Sequence, residues 1–272
     1  MFEIQTPMLI IAILFLAIWS IYLVKNNEPS LKHWGYLGAA TLLLLLALLS
    51  PITLLAESYF SFHMLQHILM LMLIPPLLWL SIPIKEKAPP AWIKRLKMPA
   101  TSWIGGVGLM WILHFPYFFN TLFSPNYGLC SGQSISSPFL QEWLHPLHLL
   151  VTLLIGLWFV FPILSPWKSL RINPLSGIGF LVSACTACSL LGIIITFAPV
   201  GTFDGYALIP DPSSSLRNIV QNQWGLTAQL DQQIAGLTMW VPGCFIYLSG
   251  SLYLVNEWFM ERELPVSYAE HM

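Results

Sequence analysis

The chain is short of charge. Aspartate, glutamate, lysine and arginine make up 8% of its 272 residues, 12 acidic against 11 basic, where soluble domains carry about 25%. With a mean hydropathy of +0.71, no water-facing surface can be assembled, which excludes an ordinary soluble globular protein. Cysteine is scarce as well. The four present, Cys130, Cys185, Cys188 and Cys244, outline no disulfide framework. There is no glycine-rich phosphate loop, no dinucleotide fingerprint and no strongly basic surface, so ATP coupling and nucleic-acid binding have no support. No internal repeat or inverted pair of broken helices marks a secondary transporter.

What the chain has instead is long apolar runs. Stretches able to cross about 30 Å of hydrocarbon lie at 8–24, 34–50, 58–82, 100–119, 139–163, 175–199 and 228–257. They predict an all-α polytopic membrane bundle of seven transmembrane helices. The runs consume the sequence, so residues 1–272 read as a single integral membrane domain. Glu3 stands where a signal peptide would be basic, and Lys25 follows the first run in place of a small-residue cleavage site; that run reads as an uncleaved helix.

Lysine and arginine orient the bundle through their cytoplasmic preference. Lys25 and Lys32 fall between runs 1 and 2. Lys85, Lys87, Lys94, Arg95 and Lys97 fall between runs 3 and 4, and Lys168 and Arg171 between runs 5 and 6. The connections 51–57 and 120–138 carry neither residue, and 200–227 carries only Arg217. The N-terminus is therefore expected outside and the C-terminus inside.

That threading brings five of the seven histidines, His63, His67, His114, His145 and His148, to the outer end of different helices. Imidazoles are costly in lipid unless paired or bound, so their convergence at one depth points to a metal, haem or proton site. The sharpest pattern is His63-Met64-Leu65-Gln66-His67: residues four apart share a helical face and can ligate one ion, and Met70 continues the stripe. Histidine with methionine suits copper, above all the cuprous ion; hydrogen bonding across helices is the alternative. A zincin would place a glutamate where Met64 stands, which argues against proteolysis. Run 5 opens Glu142-Trp143-Leu144-His145-Pro146-Leu147-His148, with the acid and both histidines at three-residue steps. Glu142 could ligate, orient an imidazole, or sit among solvated headgroups. Run 7 opens Asp231-Gln232-Gln233, an acid that can cap a helix or join the ligands, and Met239, seven beyond Gln232, could offer a thioether or simply pack; the candidate metal ligands are thus His63, His67, His114, His145, His148, Met70, Asp231 and Met239. Cys185-x-x-Cys188 lies near the middle of run 6, where small buried residues are the expected reading and a transient cuprous relay the alternative.

Taken together, Ser50-Pro51, His63-Met64-x-Gln66-His67, Pro75-Pro76, His114-Phe115-Pro116 and Asp231-Gln232-Gln233-x-x-Gly236-x-x-Met239-Trp240-x-Pro242-Gly243 resemble the CtaG family of polytopic membrane cytochrome c oxidase assembly factors. The resemblance spans about residues 50–258, and the family is distinct from the single-span copper chaperone that has shared its name. It implies a multi-pass protein of the bacterial inner membrane that helps a haem-copper oxidase mature by supporting a copper centre, with no catalytic turnover of its own. Its implied partners are oxidase subunits, a periplasmic copper chaperone and the lipid bilayer. The motif positions are His63, His67, His114 and Asp231; His145 and His148, on either side of Pro146, are not registered on the pattern. A copper channel or transporter and a haem-binding electron carrier are the rival expectations.

Overall fold

In the computed structural model, the structure describes residues 6–26, 28–49, 51–56, 58–85, 88–123, 138–203, 206 and 219–263. Helices dominate, and among the described residues there is no strand. Apart from short turns of helix in the connections, they are in chain order α1 (Thr6–Asn26), α2 (Leu31–Leu49), the short α3 (Pro51–Ala56), α4 (Phe60–Leu80), α5 (Pro99–Leu113), α6 (Pro116–Phe123), α7 (Pro138–Leu164), α8 (Pro174–Phe197) and α9 (Ala228–Glu263). Six of them, α1, α2, α4, α7, α8 and α9, are long and apolar enough to cross a membrane.

Local chemistry explains several helix starts. At α8, Pro174 occupies the first turn, and the Asn173 side chain accepts the Leu175 amide at 2.9 Å, a standard N-cap. At α2, Ser30 precedes the helix. His33 plays the part usually taken by glutamate in a capping box, accepting the Ser30 amide on Nδ1 at 3.1 Å. A sixth histidine is thereby accounted for as a cap.

The fourth apolar run differs from the single span expected over 100–119. α5 has 15 residues, a rise of about 22 Å, and the helix ends at His114, whose backbone turns to φ −98°, ψ 5°. Pro116 is the cause, since it disfavours helical geometry in the preceding residue and starts a new helix, α6.

α4 is the centre of the bundle: 67% of its apolar stretch is buried, against 22% for α1 and 28% for α2. It survives Pro75 and Pro76 by widening. Prolines there cannot donate to the carbonyls four residues back and would clash with them. The backbone relieves this over Ile68–Leu73 with π-helical turns, in which the Ile74 amide reaches Leu69. α7 packs close against this segment: a Cβ on Gly156 would lie 2.7 Å from the Leu71 carbonyl oxygen.

α8 and α9 run antiparallel through a seam of small residues, where a Cβ on Gly192 would stand 2.8 Å from the Gly236 carbonyl oxygen. Close backbone approach of this kind is how helices pair in lipid, where apolar burial supplies no drive. The outer surface is apolar in turn, with Ile18, Ile21, Phe245 and Leu252 among its exposed side chains. The chain is thus a multi-pass membrane protein.

The basic connections meet at one end. Lys85, after α4, donates to the Tyr22 hydroxyl of α1 at 2.5 Å and lies over the Trp167 ring at 4.9 Å. Lys97, just before α5, donates to the Ser169 carbonyl at 3.0 Å, and Arg171 Nε to that of Ser165 at 2.8 Å. The histidines gather at the other ends of these helices.

Candidate metal centre

The first turn of α4 lacks a cap from its own sequence, since Tyr59 offers no side-chain acceptor there. The acceptor comes from α9. Buried Asp231 takes the Phe60 amide at 2.7 Å on one oxygen, and the Ser61 amide at 3.0 Å and Ser61 hydroxyl at 2.5 Å on the other. A carboxylate at a helix N-terminus satisfies open amides and complements the helix dipole. Next to it, Gln232 donates to the Ile195 and Ala198 carbonyls at 3.1 and 2.8 Å, closing the end of α8. Gln66, on another face of α4, donates to the Ala47 carbonyl at 2.8 Å. Polar residues of the two strongest motifs therefore lock α2, α4, α8 and α9 together at one depth.

This frame sets the histidines. His63 and His67 are buried one turn apart, with their Nε2 atoms 2.9 Å from each other. His114 enters from the end of α5, where the helix break frees the ring to turn inward. Its Nδ1 donates to the Met110 carbonyl at 2.8 Å, leaving Nε2 buried with no hydrogen-bond partner. A neutral imidazole with Nδ1 protonated presents a lone pair on Nε2, and an Nδ1–H to carbonyl bond is the usual way a ligating histidine is oriented. One ligand atom from each of His63, His67 and His114 lies within 4.8 Å of the other two. An ion bound at about 2.0–2.1 Å from tetrahedrally disposed nitrogens needs them about 3.3 Å apart, so small rotations of these rings suffice.

His148 completes the group from α7. Its ring lies 6.0 Å from that of His63, nearly parallel to it, and 5.4 Å from that of His67. His145, one turn earlier and half-buried, lies within electrostatic reach of His63 and His67. Aromatic side chains wall the cluster: Phe60 packs on Phe119 at 4.8 Å and stacks on Tyr206 at 5.4 Å, and His114 lies 5.8 Å from Phe119.

Four of the eight predicted ligands, His63, His67, His114 and His148, thus come together, with His145 beside them. The other three take different places. Asp231 holds the start of α4. Met70 packs among Leu44, Leu149 and Leu153, and Met239 among Met64, Ala235 and Leu191. Cys130, the Glu142 side chain and half of the 200–227 connection lie outside the described residues. The thiols pair differently from the C-x-x-C spacing: Cys185 meets Cys244 of α9 at 3.3 Å, and Cys188 meets the Tyr247 hydroxyl at 3.6 Å. The aromatic wall and the Met110 carbonyl were not among the expected site residues. Phe119 carried a faint signal, standing five residues after His114 in the motif-bearing stretch.

Fold and site define a class: a polytopic helical membrane protein with a buried, multi-helix histidine cluster at one end of its bundle. Within it, the chain belongs to the cytochrome c oxidase caa3 assembly factor family (Caa3_CtaG), whose model matches residues 13–129 and 136–261. The match takes in every clustered histidine and extends the resemblance read from the motifs back into α1. Comparison with curated proteins and with solved structures gives no match.

Proposed function

We propose that this protein holds cuprous copper at the cluster of His63, His67 and His114 and hands it to a maturing cytochrome c oxidase at the outer face of the bacterial inner membrane. The observation that carries the reading is the approach of three imidazoles from two helices, with His114 Nε2 buried, unpaired and oriented by the Met110 carbonyl. His148 is the nearest further donor and His145 the group beside it on α7.

The character of the site favours a soft monovalent ion. Among the described side chains its donors are neutral rings, and the one carboxylate near them, Asp231, is engaged by three donors of α4. A buried divalent ion without anionic ligands carries a heavier desolvation cost than a monovalent one, and imidazole suits copper where oxygen suits magnesium or calcium. Met70 and Met239 serve packing in this account, and Asp231 serves as the positioning residue of α4. The reading gives the protein no catalytic turnover.

In the same reading the bundle crosses the membrane seven times, with its N-terminus outside and its C-terminus inside. α5 is the short fourth crossing. It begins beside Lys97 at the basic end and reaches the histidine level at His114, and the gathering of basic connections at one end is what the cytoplasmic preference of lysine and arginine requires. Copper then arrives from a periplasmic chaperone and leaves to the oxidase subunits.

The test is a deletion strain grown under copper limitation with no second copy of the gene. Oxidase activity and oxidase-bound copper are expected to fall while haem synthesis and copper-independent respiration continue, with partial rescue by added copper. Normal oxidase copper in that strain contradicts the proposal.

A further inference from the structure

We propose that Cys185 and Cys244 form a second soft-metal site, a cuprous station at the α8–α9 seam deeper in the membrane than the histidines. The inference rests on copper being the cargo of the histidine cluster. Its basis is geometric: thiols from two helices, far apart in sequence, meet with their Sγ atoms 3.3 Å apart, and the Ser189 hydroxyl lies 3.1 Å from Cys244 Sγ.

Cys185 borders the main apolar cluster, but close packing does not require a thiol at either position. The tight part of the seam is at Gly192 and Gly236, where a Cβ cannot be admitted. Cys185 and Cys244 sit at its half-exposed edge, where longer apolar side chains could turn outward into lipid. Cys185 also lies halfway along α8 (Pro174–Phe197), far from the helix ends where an aqueous thiol reagent or redox partner would reach it. Cys188, its neighbour in the C-x-x-C spacing, turns inward to Tyr247 and is not its partner.

The donor set selects the ion. Zinc asks for four ligands in a closed tetrahedron, which two thiols and a hydroxyl do not supply. Thiolates favour the cuprous ion, which is content with two. Metal–sulfur bonds of about 2.3 Å set two ligating sulfurs at most about 4.6 Å apart, so rotation of the two side chains opens the present separation far enough. Binding exchanges one thiol proton, released to the aqueous buffer, for one cuprous ion, so the complex of one thiolate, one thiol and a monovalent ion carries no net charge, the form that hydrocarbon tolerates.

The experiment titrates purified full-length protein with cuprous ion, anaerobically and under reductant, against a chromogenic cuprous chelator, and records copper X-ray absorption. Wild type is expected to hold two ions per chain, with nitrogen and sulfur neighbours. The Cys185→Ser, Cys244→Ser double variant should hold one, losing sulfur neighbours and keeping nitrogen, while Cys188→Ser keeps both ions. His63→Ala with His67→Ala should retain the sulfur-bound ion, so failure of the histidine site reads separately, as missing nitrogen-bound copper. Unchanged stoichiometry and sulfur signal in the double serine variant, with alanine at both positions giving the same result, would overturn the proposal, as would a wild type without sulfur neighbours.

Discussion

His114 gains its importance from where its helix stops. Pro116 ends α5 at this residue, and the ring then bonds back to the Met110 carbonyl, so one break in the chain both frees and orients a ligand. Replacing it by alanine should weaken cuprous binding at least about tenfold, the loss seen when even an orienting partner of a ligand is removed; competition with a cuprous chelator measures this. Asp231 acts one step back from the metal. Asp231→Ala strands two amides and a hydroxyl at the head of α4 and should cost about 1–3 kcal/mol of stability, read as a lowered midpoint of thermal unfolding in detergent. Asp231→Asn keeps an acceptor and should recover part of that loss. Equal stability of the alanine variant and wild type would show that the start of α4 does not depend on this carboxylate.

At the scale of elements, α4 and α7 are the pieces on which the site depends. The π-helical turns forced by Pro75 and Pro76 bring the α4 backbone against Gly156, so the spacing between His63 or His67 and His148 is set by a glycine two turns beyond His148 on α7. Gly156→Leu should force these helices apart, with a stability loss of about 1–3 kcal/mol and weakened copper binding even though no ligand is touched. A variant with wild-type copper affinity would detach the α4–α7 contact from the site. The His63-x-x-x-His67 face was legible in the sequence because helical spacing is a local rule. The role of Asp231 was not. Read locally it caps its own helix, whereas the structure sends it across the bundle to Phe60 and Ser61, a pairing 170 and 171 residues apart that no window of sequence contains. Met70 lies apart from the histidines for a related reason: the stripe from His67 assumes an unbroken α-helical period, and the widened turns begin at Ile68, so Met70 packs in the cluster of Leu44 and Leu149. The C-x-x-C spacing likewise hid the closer approach of Cys185 to Cys244.

For the molecule as a whole, the polarity of the bundle follows from composition: scarce charge, most of its lysine and arginine at one end and the clustered histidines at the other. The helical class and nearly every span were readable from apolar runs alone, since hydrocarbon thickness is an external ruler; the exception, 100–119, was broken by a single proline whose effect a hydropathy average cannot register. In a protein whose other cysteines are serine, Cys130 should react with a membrane-impermeant thiol reagent in intact cells or spheroplasts, and a Ser169→Cys probe at the basic end only once the inner face is opened. The reverse pattern would turn the cluster toward the cytoplasm and remove the proposed route to the oxidase. The central claim, that the converged histidines are a copper site, is tested most directly by cuprous titration and X-ray absorption of purified protein in the Cys185→Ser, Cys244→Ser background, with and without alanine at His63 and His67. The account predicts one tightly held copper with nitrogen neighbours in the first protein and none in the second, which should remain folded in its membrane environment because insertion does not depend on the pair. Undiminished, nitrogen-ligated copper in the protein lacking His63 and His67 would contradict it.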